Sequence, residues 1–210
     1  MEDDQLERLH GEILGCRLCS HAGFIDRAAP VIARAPGARL MLIGQAPGIV
    51  ELEARRPFYG RAGRELFRWM ASIGIAEDEF RNHVYMTSIT KCFPGKAKDG
   101  AGDRRPSGKE MALCLPFLER QLGLVRPEVI LPVGALAIER YFPRQKLADL
   151  IGERFYQEGS TVIPLPHPSG ASRWLNQPEN RSKLKVALRL VKDEWEQQSE
   201  RRAIAKAATV

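Results

Sequence analysis

Long apolar runs and a basic, apolar leader are both missing from the sequence. No stretch approaches the roughly 18 apolar residues that a membrane span needs. Residues 1–4 are acidic, where a secretory signal would be basic and then apolar. We therefore expect a cytoplasmic protein with no membrane partner, associated with the nucleoid if the source is a prokaryote.

Cysteine is scarce as well. Four cysteines occur among 210 residues: Cys16, Cys19, Cys92 and Cys114. Thiols stay reduced in the cytoplasm, so metal ligation explains four cysteines better than disulfide bonds do.

The chain also lacks any stretch that resembles an interdomain linker. Its hydrophobic content of 44% and charged content of 28% are typical of a globular protein. We predict a single domain over residues 1–197 and a disordered, Ala-rich tail over residues 198–210. The formal charge of +6 suits a polyanionic partner such as nucleic acid, although a basic surface can also serve solubility alone. Nothing indicates oligomerisation, and we expect a monomer.

Apolar segments with the character of buried strands alternate with helical segments. The predicted strands are residues 39–44, 84–89, 129–133 and 161–165. Such alternation predicts a three-layer α/β/α fold around a central four-stranded parallel sheet.

The residues with unusual chemistry follow the predicted strands. They form three segments: residues 44–48, Thr87 with Ser88, and residues 167–169. Ligands of parallel α/β sheets bind beyond the carboxyl ends of the strands, so these segments predict one functional site.

The spacing of the cysteines predicts one metal centre. Cys16 and Cys19 form a C-x-x-C pair, Cys92 ends a strand segment, and Cys114 lies in a predicted helix. Four thiolates suit either tetrahedral zinc or a [4Fe–4S] cluster, and the cysteine count does not separate the two. The alternative is that Cys114 is a core thiol and Cys92 is incidental. A redox enzyme that uses the C-x-x-C pair is disfavoured because two further cysteines are available to share the metal.

Five motifs in collinear order resemble the uracil-DNA glycosylase superfamily, and in particular its iron–sulfur branch, family 4. The first is Cys16-Arg-Leu-Cys19, and the second is Gly44-Gln-Ala-Pro-Gly48 followed eight residues later by Pro57-Phe-Tyr-Gly-Arg-Ala-Gly63. The others are Lys91-Cys92, Cys114-Leu-Pro-Phe-Leu118 and His167-Pro168. The resemblance implies an enzyme that hydrolyses the bond between a base and deoxyribose in single- or double-stranded DNA and leaves an abasic site. It also favours the [4Fe–4S] cluster over zinc.

The resemblance assigns a role to individual residues. Phe58 would stack on the flipped base, and His167 would donate a hydrogen bond to the leaving base. The remaining base-pocket residues would be Gly44, Ala46, Pro47 and Gly48. The DNA contacts would be Ser169, Gly170 and Lys91, together with the loop at residues 96–105. Arg173, Trp174 and Leu175 would form the wedge that fills the gap left by the flipped base.

Two residues depart from the family pattern. Gln45 replaces a glutamate, and a neutral amide can place a water molecule but cannot act as a general base; Glu51 is the candidate substitute. Ser88 replaces an asparagine that reads the base edge, which predicts relaxed selectivity towards other deaminated or modified bases. Residues 49–60 contain no histidine, so covalent trapping of DNA is not expected. The loss of the acid keeps open a second interpretation, a non-hydrolytic protein that binds damaged DNA.

Overall fold

Buried parallel strands form the centre of the computed structural model, which describes residues 2–98, 100, 102–169 and 173–207, without the side chains of residues 2, 3, 173, 205 and 206. Across these residues the strands are β1 (Leu40–Gly44), β2 (Val84–Ser88), β3 (Val129–Pro132), β4 (Phe155–Gln157) and β5 (Ser160–Val162). They form one sheet in the order β2-β1-β3-β5-β4. Every residue of β1, β2 and β3 is buried, as expected for parallel strands covered on both faces.

The four predicted strands are confirmed as β1, β2, β3 and β5, which pair in parallel. The sequence analysis missed β4, a three-residue edge strand that pairs antiparallel with β5. Glu158 and Gly159 join the two strands with φ angles of 50° and 82°, the left-handed conformation of a tight hairpin turn. A strand this short carries no readable alternation of polar and apolar residues.

Helices flank the sheet, which confirms the predicted α/β class. They are α1 (Glu2–Gly15), α2 (Leu18–His21), α3 (Ile49–Ala54), α4 (Arg61–Ser72), α5 (Glu77–His83), α6 (Gly108–Val125), α7 (Ala135–Tyr141), α8 (Leu147–Leu150) and α9 (Pro178–Ala207). A short 3-10 turn, Arg173–Asn176, precedes α9. No helix in the described ranges combines the length and apolarity needed to cross a bilayer.

The sequence predicted a disordered tail from residue 198, but in the structure α9 continues to Ala207. Gln198, the first residue of the predicted tail, is only 4% exposed and donates to the carboxylate of Glu128 at 2.6 Å. Because this buried side chain bonds to a residue far away in the sequence, the last part of α9 packs against the rest of the protein. The folded domain therefore extends beyond residue 197.

A buried hydrogen-bonded chain ties the N-terminal helix to the sheet. His10 of α1 places Nε2 2.7 Å from the hydroxyl of Tyr85 in β2. Gln121 of α6 donates to that hydroxyl at 2.8 Å and accepts from Thr87 Oγ1 at 3.0 Å. Thr87 immediately precedes Ser88, so the chain reaches from α1 to the end of β2 at the candidate site.

Candidate functional site

One cavity opens beyond the carboxyl ends of the parallel strands, where the sequence predicted a site. It brings together ten of the predicted residues: Gly44, Gln45, Ala46, Pro47, Gly48, Glu51, Phe58, Ser88, His167 and Ser169. Its wall also contains four charged residues that sequence reasoning did not place there: Arg61, Lys96, Asp103 and Arg104.

Phe58 is held in an unusual backbone conformation. Its φ of 51° lies in the left-handed region, which is strained for an aromatic residue. The ring reaches the end of β1, so closely that a Cβ on Gly44 would lie 2.9 Å from Phe58 Cζ. Phe58 also lines the cavity, so its ring forms part of the wall next to the sheet.

Arg81 of α5 stabilises that conformation from behind. Its guanidinium donates to the carbonyl oxygens of Pro57 and Phe58, both at 2.9 Å, and to Glu77 at 2.7 Å. The side chain is 8% exposed and lies over the ring of Phe67, with 4.3 Å from Cζ to the ring centroid. The sequence analysis missed Arg81 because nothing in the local sequence of a helix indicates that an arginine bonds to carbonyl oxygens more than 20 residues away.

Glu51 holds the same loop from the other side. Its carboxylate accepts from the backbone N–H groups of Gly48 at 3.1 Å, Tyr59 at 3.1 Å and Gly60 at 2.8 Å. These bonds join the start of α3 to the segment that carries Phe58, which gives Glu51 a positioning role. Its predicted catalytic role stays a prediction, made less attractive by the three amides that already occupy its oxygens.

Asp103 brings a second carboxylate to the cavity. A Cβ on Gly48 would lie 2.8 Å from Asp103 Oδ2 and 2.7 Å from Glu51 Oε2, so both carboxylates converge where Gly48 lacks a side chain. Asp103 Oδ1 accepts from Lys96 Nζ at 2.7 Å, and the Asp103 side chain is 35% exposed. The sequence signal that could have found it was an acid placed between a glycine and two arginines in the basic loop.

His167 presents one defined ring nitrogen to the cavity. Its Nδ1 accepts from the backbone N–H of Ser169 at 3.2 Å and lies 2.9 Å from Ser169 Oγ. An Nδ1 that accepts a backbone hydrogen bond places the ring proton on Nε2. Burial lowers the pKa of His167, so the imidazole is neutral near pH 7 with Nε2–H free to donate.

Ser88 is the last residue of β2 and lies at the cavity wall, and its hydroxyl proton is used in a hydrogen bond within the protein. Its hydroxyl donates to the Thr90 carbonyl oxygen at 2.8 Å. The oxygen that faces a ligand is therefore available as an acceptor.

Lys91 is buried, which argues against the phosphate contact that the sequence predicted for it, and that contact stays a prediction. The residue is 2% exposed, and its ammonium donates to the Ser88 carbonyl oxygen. Burial lowers the pKa of Lys91 to about 8. The sequence suggested a surface cation because lysine is rarely buried.

Three of the four cations in the basic loop at residues 96–105 form ion pairs within the protein: Lys96, Arg104 and Arg105. Arg104 makes a two-pronged ion pair with Glu110 at 2.7 and 2.8 Å, and Arg105 pairs with Glu139 at 2.6 Å. Together with the Lys96–Asp103 pair, these contacts fix the loop against α6 and α7. Its predicted phosphate contacts remain a prediction.

Two residues of the predicted wedge, Trp174 and Leu175, are not among the described residues that line the cavity. Trp174 and Leu175 are half-buried on the 3-10 turn and pack against the core, and Asn180 Nδ2 donates to the Trp174 carbonyl oxygen at 2.8 Å. Gly170 and the side chain of Arg173 lie outside the described residues. Insertion into DNA stays a prediction for this segment.

The four cysteines line one separate cavity, walled by α1, α2, α6 and the residues after β2. Within the described residues, no three metal-ligating side chains already lie close enough to hold an ion. The donor chemistry nevertheless fits a sulfur-ligated centre. The Lys91 N–H donates to Cys114 Sγ at 3.3 Å, and a backbone hydrogen bond from Ala29 reaches Cys92.

Burial determines the protonation of these cysteines. It raises the pKa of Cys19 to about 11 and that of Cys92 to about 12, and it raises the pKa of Cys114. Without a metal cation the sulfurs of Cys19, Cys92 and Cys114 are therefore neutral thiols, which argues against a role as reactive nucleophiles. A bound metal would displace these protons, because metals bind thiolates.

The fold and the cavity define an α/β protein with a ligand site at the carboxyl ends of a parallel sheet. The family model described as "Uracil DNA glycosylase superfamily" matches residues 33–191, and the chain belongs to that superfamily. Three relatives are each named "Type-4 uracil-DNA glycosylase". The protein of Sulfurisphaera tokodaii is 29% identical over 80% of this chain and 76% of its own length. That of Saccharolobus solfataricus is 29% identical over 90% and 86%. That of Pyrobaculum aerophilum is 31% identical over 71% and 67%.

Proposed function

We propose that the protein is a monofunctional DNA glycosylase that hydrolyses the N-glycosidic bond of uracil in DNA and leaves an abasic site, the first step of base excision repair. The observation that carries the proposal is one cavity that combines the ring of Phe58, the acceptor of Ser88 and the neutral donor of His167. Superfamily membership and the names of the relatives support it.

Base recognition follows from two walls of the cavity. A nucleotide flipped out of the helix would stack on Phe58, which lies against the end of β1. Ser88 would accept a hydrogen bond from a ring N–H of the base that lies next to a carbonyl group. Uracil, hypoxanthine and xanthine all carry such an N–H, whereas cytosine has an acceptor at the corresponding ring nitrogen. We therefore propose that deaminated bases besides uracil are also substrates.

His167 would stabilise the departing base. As the bond between C1′ and the base nitrogen breaks, negative charge develops on the base and its carbonyl oxygen. The Nε2–H of a neutral His167 would donate to that oxygen, and Ser169 would hold the ring in place through Nδ1. Donors aimed at charge that develops in the transition state contribute roughly 3–4 kcal/mol in comparable sites.

A carboxylate would orient the attacking water. Water adds to C1′ of an oxocarbenium-like centre and releases a proton, which needs an acceptor close by. Gln45 cannot take that proton, and the oxygens of Glu51 are engaged by backbone amides. Asp103, held through one oxygen by Lys96, leaves its other oxygen on the cavity side. Gln45 would place the water and Asp103 would accept its proton.

A [4Fe–4S] cluster would be held by Cys16, Cys19, Cys92 and Cys114, with zinc as the less favoured occupant. When bound, it supplies covalent cross-links among α1, α2, α6 and the end of β2, and it takes no part in the hydrolysis. We further propose that the protein acts as a monomer on DNA in the cytoplasm.

A non-hydrolytic DNA-damage-binding protein is the alternative, and the neutral Gln45 is the observation that favours it. One experiment separates the two. The purified protein is incubated with uracil-containing single- and double-stranded oligonucleotides, and abasic sites are then cleaved with alkali. Cleavage that is abolished in His167→Ala but kept in the surface variant His21→Ala supports the glycosylase. Binding to the uracil oligonucleotide without any cleavage supports the alternative.

A further inference from the structure

An arginine-rich segment borders the cavity. Residues 54–64 run from the last residue of α3 into the first turn of α4 and contain no acidic residue. Its four arginines, Arg55, Arg56, Arg61 and Arg64, are all exposed, and Arg61 lines the cavity. In the described part of the chain, no ion pair joins any of the four to a carboxylate. They differ in this from three cations of the basic loop, Lys96, Arg104 and Arg105, each of which is paired with a carboxylate.

An exposed aromatic side chain lies within the same segment. Tyr59 is 48% exposed, although it directly follows the partly buried Phe58. The guanidinium of Arg56 lies over its ring, 5.6 Å from the ring centroid. A large exposed ring next to a cation, in the segment that carries the aromatic wall of a ligand cavity, is the arrangement that binds unpaired bases of single-stranded nucleic acid.

The segment is rigid although its outer face is open. Arg81 fixes the carbonyl oxygens of Pro57 and Phe58, while Glu51 fixes the N–H groups of Tyr59 and Gly60. Four consecutive residues are thus held from within. The backbone that carries the exposed side chains is therefore already ordered, which reduces the conformational entropy that the segment loses when it binds a ligand.

We propose that Arg55, Arg56, Arg61, Arg64 and Tyr59 form a DNA-binding surface for the strand that flanks the flipped nucleotide. Tyr59 stacks on an unpaired neighbouring base, and the arginines neutralise the adjacent phosphates. The surface therefore favours single-stranded or locally opened DNA over closed duplex. This inference rests on the proposed function for its ligand, and DNA without uracil tests it separately.

The test uses fluorescence anisotropy with a uracil-free labelled single strand and its duplex, measured over a range of salt concentrations. The variants are Arg55→Gln/Arg56→Gln, Arg61→Gln/Arg64→Gln and Tyr59→Ala. The matched control is Lys185→Gln/Arg189→Gln, which removes two exposed cations from α9 away from the cavity. Circular dichroism confirms that each variant is folded.

Each arginine pair should weaken single-strand binding and lower the salt dependence by about 0.7 in log–log slope for every phosphate that is no longer neutralised. Tyr59→Ala should weaken single-strand binding about tenfold and duplex binding less. The control should match the parent protein. Equal weakening in the control, or unchanged affinity and slope in the arginine variants, would overturn the proposal. Because these probes contain no uracil, a failure to excise uracil would count against the proposed function and leave this result standing.

Discussion

Arg81 Nη2 donates to the carbonyl oxygen of Phe58 at 2.9 Å, from a guanidinium that is itself buried against the ring of Phe67. The residue that shapes the aromatic wall of the cavity thus lies in a different helix, 23 positions further along the chain. Phe58 adopts a left-handed φ that its own side chain disfavours, so this remote donor has a direct effect on the site.

Replacing Arg81 by Met should disturb the site and the fold together. The change leaves the Pro57 and Phe58 carbonyl oxygens without their donors, which lowers the free energy of unfolding by roughly 1–3 kcal/mol. Uracil release at saturating DNA should slow at least tenfold. Arg81→Lys, which restores a charge without the two-pronged geometry, should fall between the parent protein and Arg81→Met. The exposed Arg68→Met is the control, and an equal effect there would contradict the assignment; urea unfolding and single-turnover assays provide the measurements.

Asp103 and Glu51 should respond differently to substitution. Asp103→Ala should slow the single-turnover rate at least tenfold, because the proposed mechanism has its carboxylate accept the proton of water. Stability should change little, because that carboxylate is partly exposed. Glu51→Ala should lower the free energy of unfolding because three backbone N–H groups lose their acceptor. Glu53→Ala, an exposed change on the same helix, serves as the reference. A normal rate in Asp103→Ala would return the proton-accepting role to Glu51.

Acid should destabilise the protein through its buried histidines. Burial lowers the pKa of His10, His83 and His167 below the ordinary value of 6.5. The unfolded chain therefore binds protons first, and stability falls as the pH drops below about 6.5, until the folded-state pKa values are passed. Urea midpoints measured between pH 8 and pH 5 should show this decline, and His167→Gln should reduce it. A His167→Gln protein with the same decline would contradict the burial of a neutral imidazole.

Lys91 should contribute to the fold and not to the salt dependence of DNA binding. Its ammonium is enclosed next to Ser88 and makes no contact with solvent that DNA could replace. Lys91→Met should leave the slope of affinity against salt unchanged in an anisotropy titration. A slope reduced by about one would indicate that Lys91 binds a phosphate and would restore the sequence-based assignment.

Ser88 should set the range of bases that are excised. Ser88→Asn adds an amide with its own donor and acceptor demands, so activity on hypoxanthine, xanthine and an etheno base should fall relative to uracil. Excision rates on these four bases, opposite several partners, provide the comparison. Strict uracil activity in the parent protein would reject the relaxed selectivity.

Buried strands were predictable because local composition determines them. The residues of β1 and β2 are buried on both faces, and the glycine, proline and histidine that follow the strands identify the site edge. The cavity therefore contains most of the residues that the motifs indicated. The short strand β4 was missed because three residues are too few to show a period.

Long-range pairing was not readable from the sequence. Lys91 resembles a phosphate contact until its burial is known, and the cations of the basic loop resemble free charges until Glu110 and Glu139 are found beside them. Asp103 was hidden for the same reason, because its approach to Gly48 depends on how the loop folds back. Tertiary contacts, and not local propensity, decide the role of a charged residue.

The hydrogen-bonded chain from His10 through Tyr85 to Gln121 bears on where the protein can be shortened. The superfamily match begins at residue 33, yet removal of α1 would leave the buried Tyr85 hydroxyl without His10 and would expose the apolar surface that Leu9 and Ile13 cover. A chain trimmed to the recognised family boundary should consequently be recovered as aggregate. Any shortened version of the protein should therefore keep α1, because the smallest part that folds on its own includes this helix.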